Sequence, residues 1–259
     1  MGKVRVQRSA ARVTTESEAI PELRDGDRMN TAEFMRRYEA TPEGFRAELI
    51  NGVVHVNRWI EVGRDGKERI MPPISGGGHG GPQADMTFLL SMYSIYTPGV
   101  RASAPTTLVL SPTESVPEPD VLLRVLPESG GSCTLGTDDY LHGAPELIVE
   151  ISKTSAGRDL GRKLEMYLRN GVPEYIVWRT RHRVIDWFHL NRRGEYVPLA
   201  LDADGILKSR VFPGLWLDSV AMTGGDMARV LAVVQQGIAS PEHAKFVEKL
   251  RKRAAKKKR

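Results

Sequence analysis

The chain of 259 residues contains one cysteine, Cys133, which excludes an internal disulfide framework and any multi-cysteine zinc site and suits a reducing compartment. The stretch around it, Glu128 to Gly136, is rich in Gly and Ser and reads as a loop. No base stands near the thiol in sequence, so an incidental cysteine is expected rather than a nucleophile. Long apolar runs are also missing: none approaches the roughly 20 residues that cross a bilayer. Residues 1–20 carry scattered Arg and Glu without an apolar core, unlike a secretion signal. The expectation is a cytoplasmic protein with no membrane partner. Two catalytic signatures are absent as well. The glycine-rich stretch Gly76 to Gly81 lacks the Lys-Ser/Thr ending of a phosphate loop, and no Gly-x-Ser-x-Gly elbow marks a serine hydrolase.

What remains is an ordinary globular composition, 41% hydrophobic and 27% charged, with enough length for one large core. The expected organisation is a loose leader over residues 1–27, a domain over 28–222, and a C-terminal helix with a basic tail over 223–259. The net charge of +5 is unevenly placed. From Lys245 to Arg259 nine Lys/Arg against Glu248 give +8, so the preceding 244 residues carry −3. Such a tail, with Lys256, Lys257 and Lys258 at its end, suits a polyanion such as nucleic acid, because neutralised phosphates release counterions. A solvated end that only aids solubility accounts for it equally well.

Periodicity predicts a helix over Thr31 to Tyr38, capped by Asn30 or Thr31, with Phe34 and Met35 inward. A hairpin follows over Phe45 to Asn57, turning at Asn51-Gly52. The Pro- and Gly-rich stretch from Met71 to Pro82 excludes regular structure and opens a helix that runs to about Tyr96. Strands are expected at Thr107 to Leu110, Val121 to Leu126 and Leu147 to Ile151, the last apolar on both faces and therefore central. The connection Pro127 to Gly143 is expected to be mobile. A helix from Ser155 to Asn170, closed by Gly171, leads to a strand at Glu174 to Trp178, the crossover unit of a parallel pair. Val184 to Leu190 and Tyr196 to Leu201 then form a hairpin that extends the sheet. Val211 to Leu217 supplies an edge, and Asp226 to Gln236 a helix. The fold class is α/β, with a mixed central sheet, flanking helices and added β-hairpins.

Chemistry concentrates at Asp120, Glu150 and Lys163. Asp120 opens one strand and Glu150 lies near the end of its neighbour, so pairing brings both carboxylates to one end of the sheet. Hard oxygen ligands of this kind suit Mg²⁺ or Mn²⁺. Lys163, early in the following helix, can point at the same end and orient water or offset charge on phosphorus. Arg158 and Arg162 stand near that helix start and can hold a nucleic-acid backbone. Each residue also has a structural reading: Asp120 begins a strand after a Pro-Glu-Pro turn, and Lys163 forms an i,i+4 pair with Asp159. Glu150 interrupts an apolar strand, which is costly unless the carboxylate is paired or binds a cation. From spacing alone, a metal site and a structural ion pair both remain open.

Pro145-Glu-Leu-Ile-Val-Glu-Ile-Ser152, Arg158-Asp-Leu-Gly-Arg-Lys-Leu-Glu-Met-Tyr167 and Asn170-Gly-Val-Pro-Glu-Tyr-Ile-Val-Trp178 resemble the Uma2 family of endonucleases, within the restriction-endonuclease-like PD-(D/E)XK nucleases. Ala47-Glu-Leu-Ile-Asn-Gly-Val-Val54, His79-Gly80 and Pro119-Asp-Val121 extend the resemblance over about residues 30–220. It implies that Asp120 and Glu150 are metal-binding acids in a Mg²⁺- or Mn²⁺-dependent nuclease acting on DNA, and that Lys163 is the signature lysine moved onto the helix. Ser152 stands where that lysine usually lies, and Lys153, one position on, should face away from Glu150. Lys153 is the reserve candidate. Glu48 would ligate a second ion or position the lysine, or else form the polar face of an exposed hairpin. His79 would meet phosphate or the attacking water, or serve only as a helix-entry hydrogen bonder. Restriction-type nucleases that cut both strands often pair, so a homodimer is a candidate assembly. The alternative function is a nucleic-acid-binding or partner-docking protein on the same fold that does not cut.

Overall fold

The computed structural model describes residues 20–41, 45–56, 60–62, 68–70 and 75–257. The leader up to residue 19, Pro72, Pro73 and Lys258 lie outside the described residues. Helix α1 (Thr31–Tyr38) starts at Asn30, whose side chain accepts a hydrogen bond from the Glu33 amide at 2.9 Å and satisfies a free first-turn donor. Phe34 is buried and Met35 only partly so. Ordered packing already begins at Leu23, which is buried, and the Gly26 amide donates to the Val54 carbonyl. The hairpin β1 (Ala47–Ile50) and β2 (Val53–Val56) turns at Asn51 and Gly52, with φ of 51° and 74°. That pair of left-handed residues gives the primed turn whose twist matches antiparallel strands. A short ribbon, β3 (Ile60–Val62) and β4 (Glu68–Ile70), follows.

Gly76–Gly80, expected to be irregular, is a π-helical turn that runs directly into α2 (Gly81–Tyr96). The Ser75 hydroxyl accepts from the Gly78 amide at 3.2 Å, and Pro82 occupies the first turn of α2, so capping chemistry overrides the glycines' backbone freedom. Met86, Leu89, Leu90 and Tyr93 form the buried face of α2.

After α2 come β5 (Val100–Ser103), β6 (Leu108–Val109), β7 (Val121–Val125), β8 (Thr134–Leu135), β9 (Leu141–His142) and β10 (Leu147–Ser152). The crossover helix is built from α3 (Ala156–Arg158), a π-helical turn (Asp159–Lys163) and α4 (Leu164–Arg169), and ends at Gly171 with φ of 69°. Next are β11 (Glu174–Arg179), β12 (Val184–Leu190), β13 (Tyr196–Pro198), β14 (Ile206–Lys208) and β15 (Trp216–Asp218). Helices α5 (Ser219–Gly224), α6 (Met227–Ile238) and α7 (Pro241–Lys257) close the chain.

The main sheet has six strands in the order β13-β12-β11-β10-β7-β5, with β10 and β11 parallel and the other pairs antiparallel. It is the expected mixed α/β sheet flanked by helices and hairpins. Three details differ from the sequence reading. The edge strand β5 is unforeseen, since Arg101 and Ser103 weaken its pattern. The expected strand at Thr107 to Leu110 is reduced to β6 and joins β8 and β9 in a separate small sheet. The segment Val211 to Leu217 does not edge the main sheet: Gly214, at φ of 88°, breaks it, and only β15 remains, paired with β14.

The two-residue period of a strand sorts the core onto two faces. Leu147, Val149 and Ile151 of β10 pack with Val121 and Leu123 of β7 against α2, α6 and α7. Ile148, Leu122, Tyr175 and Val177 face the other way, beneath Met166 and Tyr167 of α4. The same parity puts Asp120 and Glu150 on the α4 side.

Glu174, at the start of β11, has no exposed surface and receives four hydrogen bonds, from the Ser209 hydroxyl, the Arg210 and Val211 amides and the Trp187 indole. It thereby ties the segment entering β15 to the main sheet. Burial pushes its carboxyl up to about 7 despite those donors, from an ordinary 4.5. A folded value above the unfolded one means that the folded state keeps the proton longer, so this stability is present below about pH 4.5 and is lost as pH rises through about 7, by about 3 kcal/mol at most. The urea midpoint is expected to be higher at about pH 5 than at about pH 8. Glu174→Gln should narrow that gap; an unchanged gap would assign it to other groups.

The basic C-terminus is helical as far as the description reaches. Ser240 caps α7 by accepting from the His243 amide at 3.3 Å, and Pro241 takes its first position. His243 and Leu250 are buried and Phe246 packs against the same core. Ala, Lys, Arg and Glu are strong helix formers, and docking of this one face supplies what propensity alone does not.

Candidate metal and nucleic-acid site

Strand pairing builds the site. In the antiparallel β7/β10 register Val121 stands opposite Val149, so Asp120 and Glu150 meet at the end where β7 begins and β10 finishes. The Asp120 carboxylate is locked there: Oδ2 accepts from the Ile151 amide at 2.7 Å, and Oδ1 lies 3.1 Å from His79 Nε2. The other imidazole nitrogen, Nδ1, is 3.0 Å from the Ile151 carbonyl oxygen. His79 therefore leaves its π-helical turn to bridge both strands. Its hydrogen bond to Asp120 outweighs partial burial and raises its pKa above the ordinary value.

Glu150 and Lys163 meet inside the protein. The Lys163 ammonium donates to Glu150 Oε1 at 2.9 Å and lies 2.7 Å from Glu48 Oε1, with only 2% of the side chain exposed. Tyr167, one helical turn beyond, donates its hydroxyl to the same Glu150 oxygen at 2.7 Å. Burial pushes the Glu150 carboxyl up to about 8, with Lys163 opposing and the Asp120, Asp159 and Glu48 carboxylates reinforcing. For Lys163 burial works against the charge, yet Glu150 and Glu48 outweigh it and hold the ammonium protonated. Burial likewise acts against the charge of Glu48, and Lys163 and Arg158 overcome it to keep that carboxyl below its usual range. With one ammonium between two carboxylates, burial draws Glu150 upward while Lys163 and Arg158 hold Glu48 low.

Glu48 is not on an exposed face of the hairpin. It is 1% exposed, because Leu49 bridges to Val116 and turns β1 inward, where the Glu118 amide donates to Glu48 Oε1 at 2.9 Å. Arg158 is half-buried, with Nη1 4.0 Å from Glu48 Oε2 and Nε 3.7 Å from Asp159 Oδ1. Arg162 is exposed and makes no hydrogen bond or ion pair among the described residues. Lys153 lies beyond β10, packed over Gly78: a Cβ on Gly78 would come within 2.6 Å of Lys153 Cδ. Lys256 and Lys257 are on α7, away from these acids, and the Lys257 ammonium donates to the Pro127 carbonyl. Cys133 is buried in the core facing α4, not loose in a mobile loop, and burial pushes its thiol up to about 11, which leaves it an inert core residue.

Two participants escaped the sequence reading. The sequence reading gives Tyr167 no role at the site, although its spacing of four from Lys163 puts both on one face. Asp159 was seen only as a partner for Lys163. It is 1% exposed, and its Oδ1, like Glu48 Oε2, has no hydrogen-bond partner among the described residues. The Arg158 guanidinium lies within ion-pair distance of both oxygens and offsets their charge without completing a hydrogen bond.

That donor chemistry fits a hard cation. Among the described residues no group of three or more His, Cys, Asp or Glu side chains is placed to hold a metal by itself. A magnesium-like ion asks for less, one or two carboxylates with several waters kept. Both hydrogen bonds to Glu150 go to Oε1. Among the described residues no helix is long and apolar enough to cross a membrane.

No curated protein matches the sequence. A crystal structure from Anabaena variabilis ATCC 29413, described as "a putative nuclease belonging to DUF820", matches at 12% identity with a TM-score of 0.50, over 73% of this chain and 98% of that one. At that identity the likeness is one of fold. Residues 57–221 match the Uma2 family model, described as "Putative restriction endonuclease". Most of the chain, including Asp120, Glu150 and Lys163, falls within that match, and the chain belongs to the Uma2 family.

Proposed function

We propose that the protein is a Mg²⁺- or Mn²⁺-dependent endonuclease that hydrolyses phosphodiester bonds of DNA. One observation carries the reading: a fully buried ammonium, Lys163, is held between Glu48 of β1 and Glu150 of β10, at the end of the sheet where Asp120 begins the neighbouring strand. Replacing such a network by apolar side chains is often neutral or stabilising, so it is weak evidence for a purely structural purpose. Carboxylates gathered around a buried lysine are an arrangement that functional sites use.

Asp120 and Glu150 would hold the ion. When bound, it would polarise a phosphate oxygen and lower the pKa of a coordinated water. His79 and the Ile151 amide orient the Asp120 carboxylate. Tyr167 and Lys163 orient Glu150 through one shared oxygen. An ammonium has three donors, and Glu48 and Glu150 take two, leaving one for a water or a phosphate oxygen. Arg158, beside Glu48, would meet the departing charge, and exposed Arg162 the strand's backbone. In the reaction water oxygen bonds to phosphorus and gives up a proton to solvent, the bond from phosphorus to the leaving strand's oxygen breaks, and that oxygen takes a proton from solvent.

Incubation of supercoiled plasmid with the protein and Mn²⁺ or Mg²⁺ tests this. Nicking is expected, with a loss of more than about 100-fold in Asp120→Asn, beyond what loss of an outer-shell partner costs. Equal activity in both proteins, or none in either, overturns the proposal. The second outcome favours a module that binds without cutting, a reading supported by the engagement of both Asp120 oxygens with protein donors.

A further inference from the structure

We propose that the outward face of α7 is a docking surface for the phosphate backbone of duplex DNA, at the opposite end of the sheet from the acidic centre. Lys245, Lys249, Lys252 and Lys256 are exposed and recur at spacings of four, three and four, so they share one face. At 1.5 Å per residue that stripe is about 16 Å long, the axial rise of roughly five phosphates on one strand. Internal neutralisation is slight: Glu248 faces Lys252 at 3.5 Å, both largely exposed. Helix stability does not account for the stripe. Cations favour the last turn, where Lys256 lies, whereas Lys245 and Lys249 sit in the first half, where the helix dipole gives them nothing.

The opposite face of α7 fixes the stripe in place. His243 Nε2 lies 2.9 Å from the Thr97 hydroxyl, Leu250 is buried, and Arg253 packs over Gly130. These contacts gather around Pro127–Ser129, just after β7 ends, whereas Asp120 stands just before β7 begins. Five strand residues at about 3.3 Å separate the two ends by about 17 Å, or roughly five base pairs. The choice of nucleic acid over an anionic membrane follows from burial: a membrane-surface helix needs an exposed apolar face, and that of α7 is spent on the core. Because the first 244 residues carry −3, a polyanion is steered to α7 rather than elsewhere. The nuclease reading bears on this only in favouring DNA among polyanions.

The test compares the full chain with its K245Q/K249Q/K252Q/K256Q variant, since glutamine keeps helix propensity. Anisotropy of a labelled duplex of about 24 base pairs is measured in EDTA, where cleavage is off, across a salt series. The wild type is expected to bind, and the variant to bind more than about tenfold more weakly, with a slope of log K against log salt shallower by about 3 to 4, near 0.9 per lost contact. Circular dichroism should show an unchanged fold. Equal slopes and affinities in the two proteins overturn the proposal, as does tighter binding of the wild type to phosphatidylserine vesicles or to polyglutamate than to the duplex. A wild type that binds the duplex in EDTA yet fails to nick plasmid with Mn²⁺ or Mg²⁺ removes only the nuclease reading.

Discussion

Lys163→Met is expected to destabilise the protein by about 3–5 kcal/mol, the cost of taking one partner from a buried ion pair. The substitution keeps length and apolar volume but leaves Glu48 and Glu150 facing each other without the ammonium that lies 2.7 and 2.9 Å from them. Both carboxylates are almost fully buried, so the substitution alone gives them little solvent in place of the ammonium. The triple variant K163M/E48Q/E150Q should recover most of the loss: the amide oxygens can still accept from the Glu118 amide and the Tyr167 hydroxyl, the two carboxylates that faced Lys163 are neutral, and Arg158 keeps Asp159. Urea unfolding of the two variants beside the wild type measures this. A single variant within about 1 kcal/mol of the wild type would mean that the network is solvated. The triple variant should fold yet fail to nick plasmid, which separates stability from chemistry.

Gly131→Ala is expected to cost about 3 kcal/mol or more, at the upper end of overpacking penalties. A Cβ there would stand 1.8 Å from the Val125 carbonyl oxygen and 2.5 Å from its carbon, which are backbone atoms that cannot swing aside. The connection after β7 folds tightly back on itself: the Gly131 amide donates to the Leu126 carbonyl at 3.2 Å, and the next turn buries Cys133. Thermal unfolding should show the loss. Gly130→Ala tests strain at a different point, since its φ of 96° disfavours any side chain, and its nearest contact is Arg253 at 3.2 Å. If Gly131→Ala unfolded at the wild-type temperature, the close approach of these backbones would be wrong.

These glycines show where the sequence stopped being legible. A run of Gly and Ser between two strands reads as mobility, because composition does not distinguish a glycine kept for freedom from one kept for close approach. The basic C-terminus posed the same difficulty: charge suggested a loose end, and only the burial of His243 and Leu250 reveals a docked helix. Strand β5 was missed because Arg101 and Ser103 dilute an edge strand that needs only one covered face. By contrast, the meeting of Asp120 and Glu150 at one end of the sheet was legible, since it needs only that their two strands pair. So was the parallel β10/β11 crossover, announced by strand, helix and strand closed by Gly171. Glu48 was half legible. The hairpin was evident from Asn51-Gly52, but its burial depends on a bridge to Val116, sixty-odd residues away, that no local pattern encodes.

The wide turn at Asp159–Lys163 constrains how this chain can change. A π-helical turn holds one more residue than the regular helix around it, and each residue beyond it is rotated by about 100° from where an unbroken helix would carry it. Loss of a single residue from this turn would let the helix anneal and would swing Lys163 and Tyr167 together off Glu150, breaking two contacts at one stroke. Insertions and deletions are thus barred here even though most of the neighbouring side chains could be exchanged one for one, and the tally of residues between Glu150 and Lys163 matters as much as their identity.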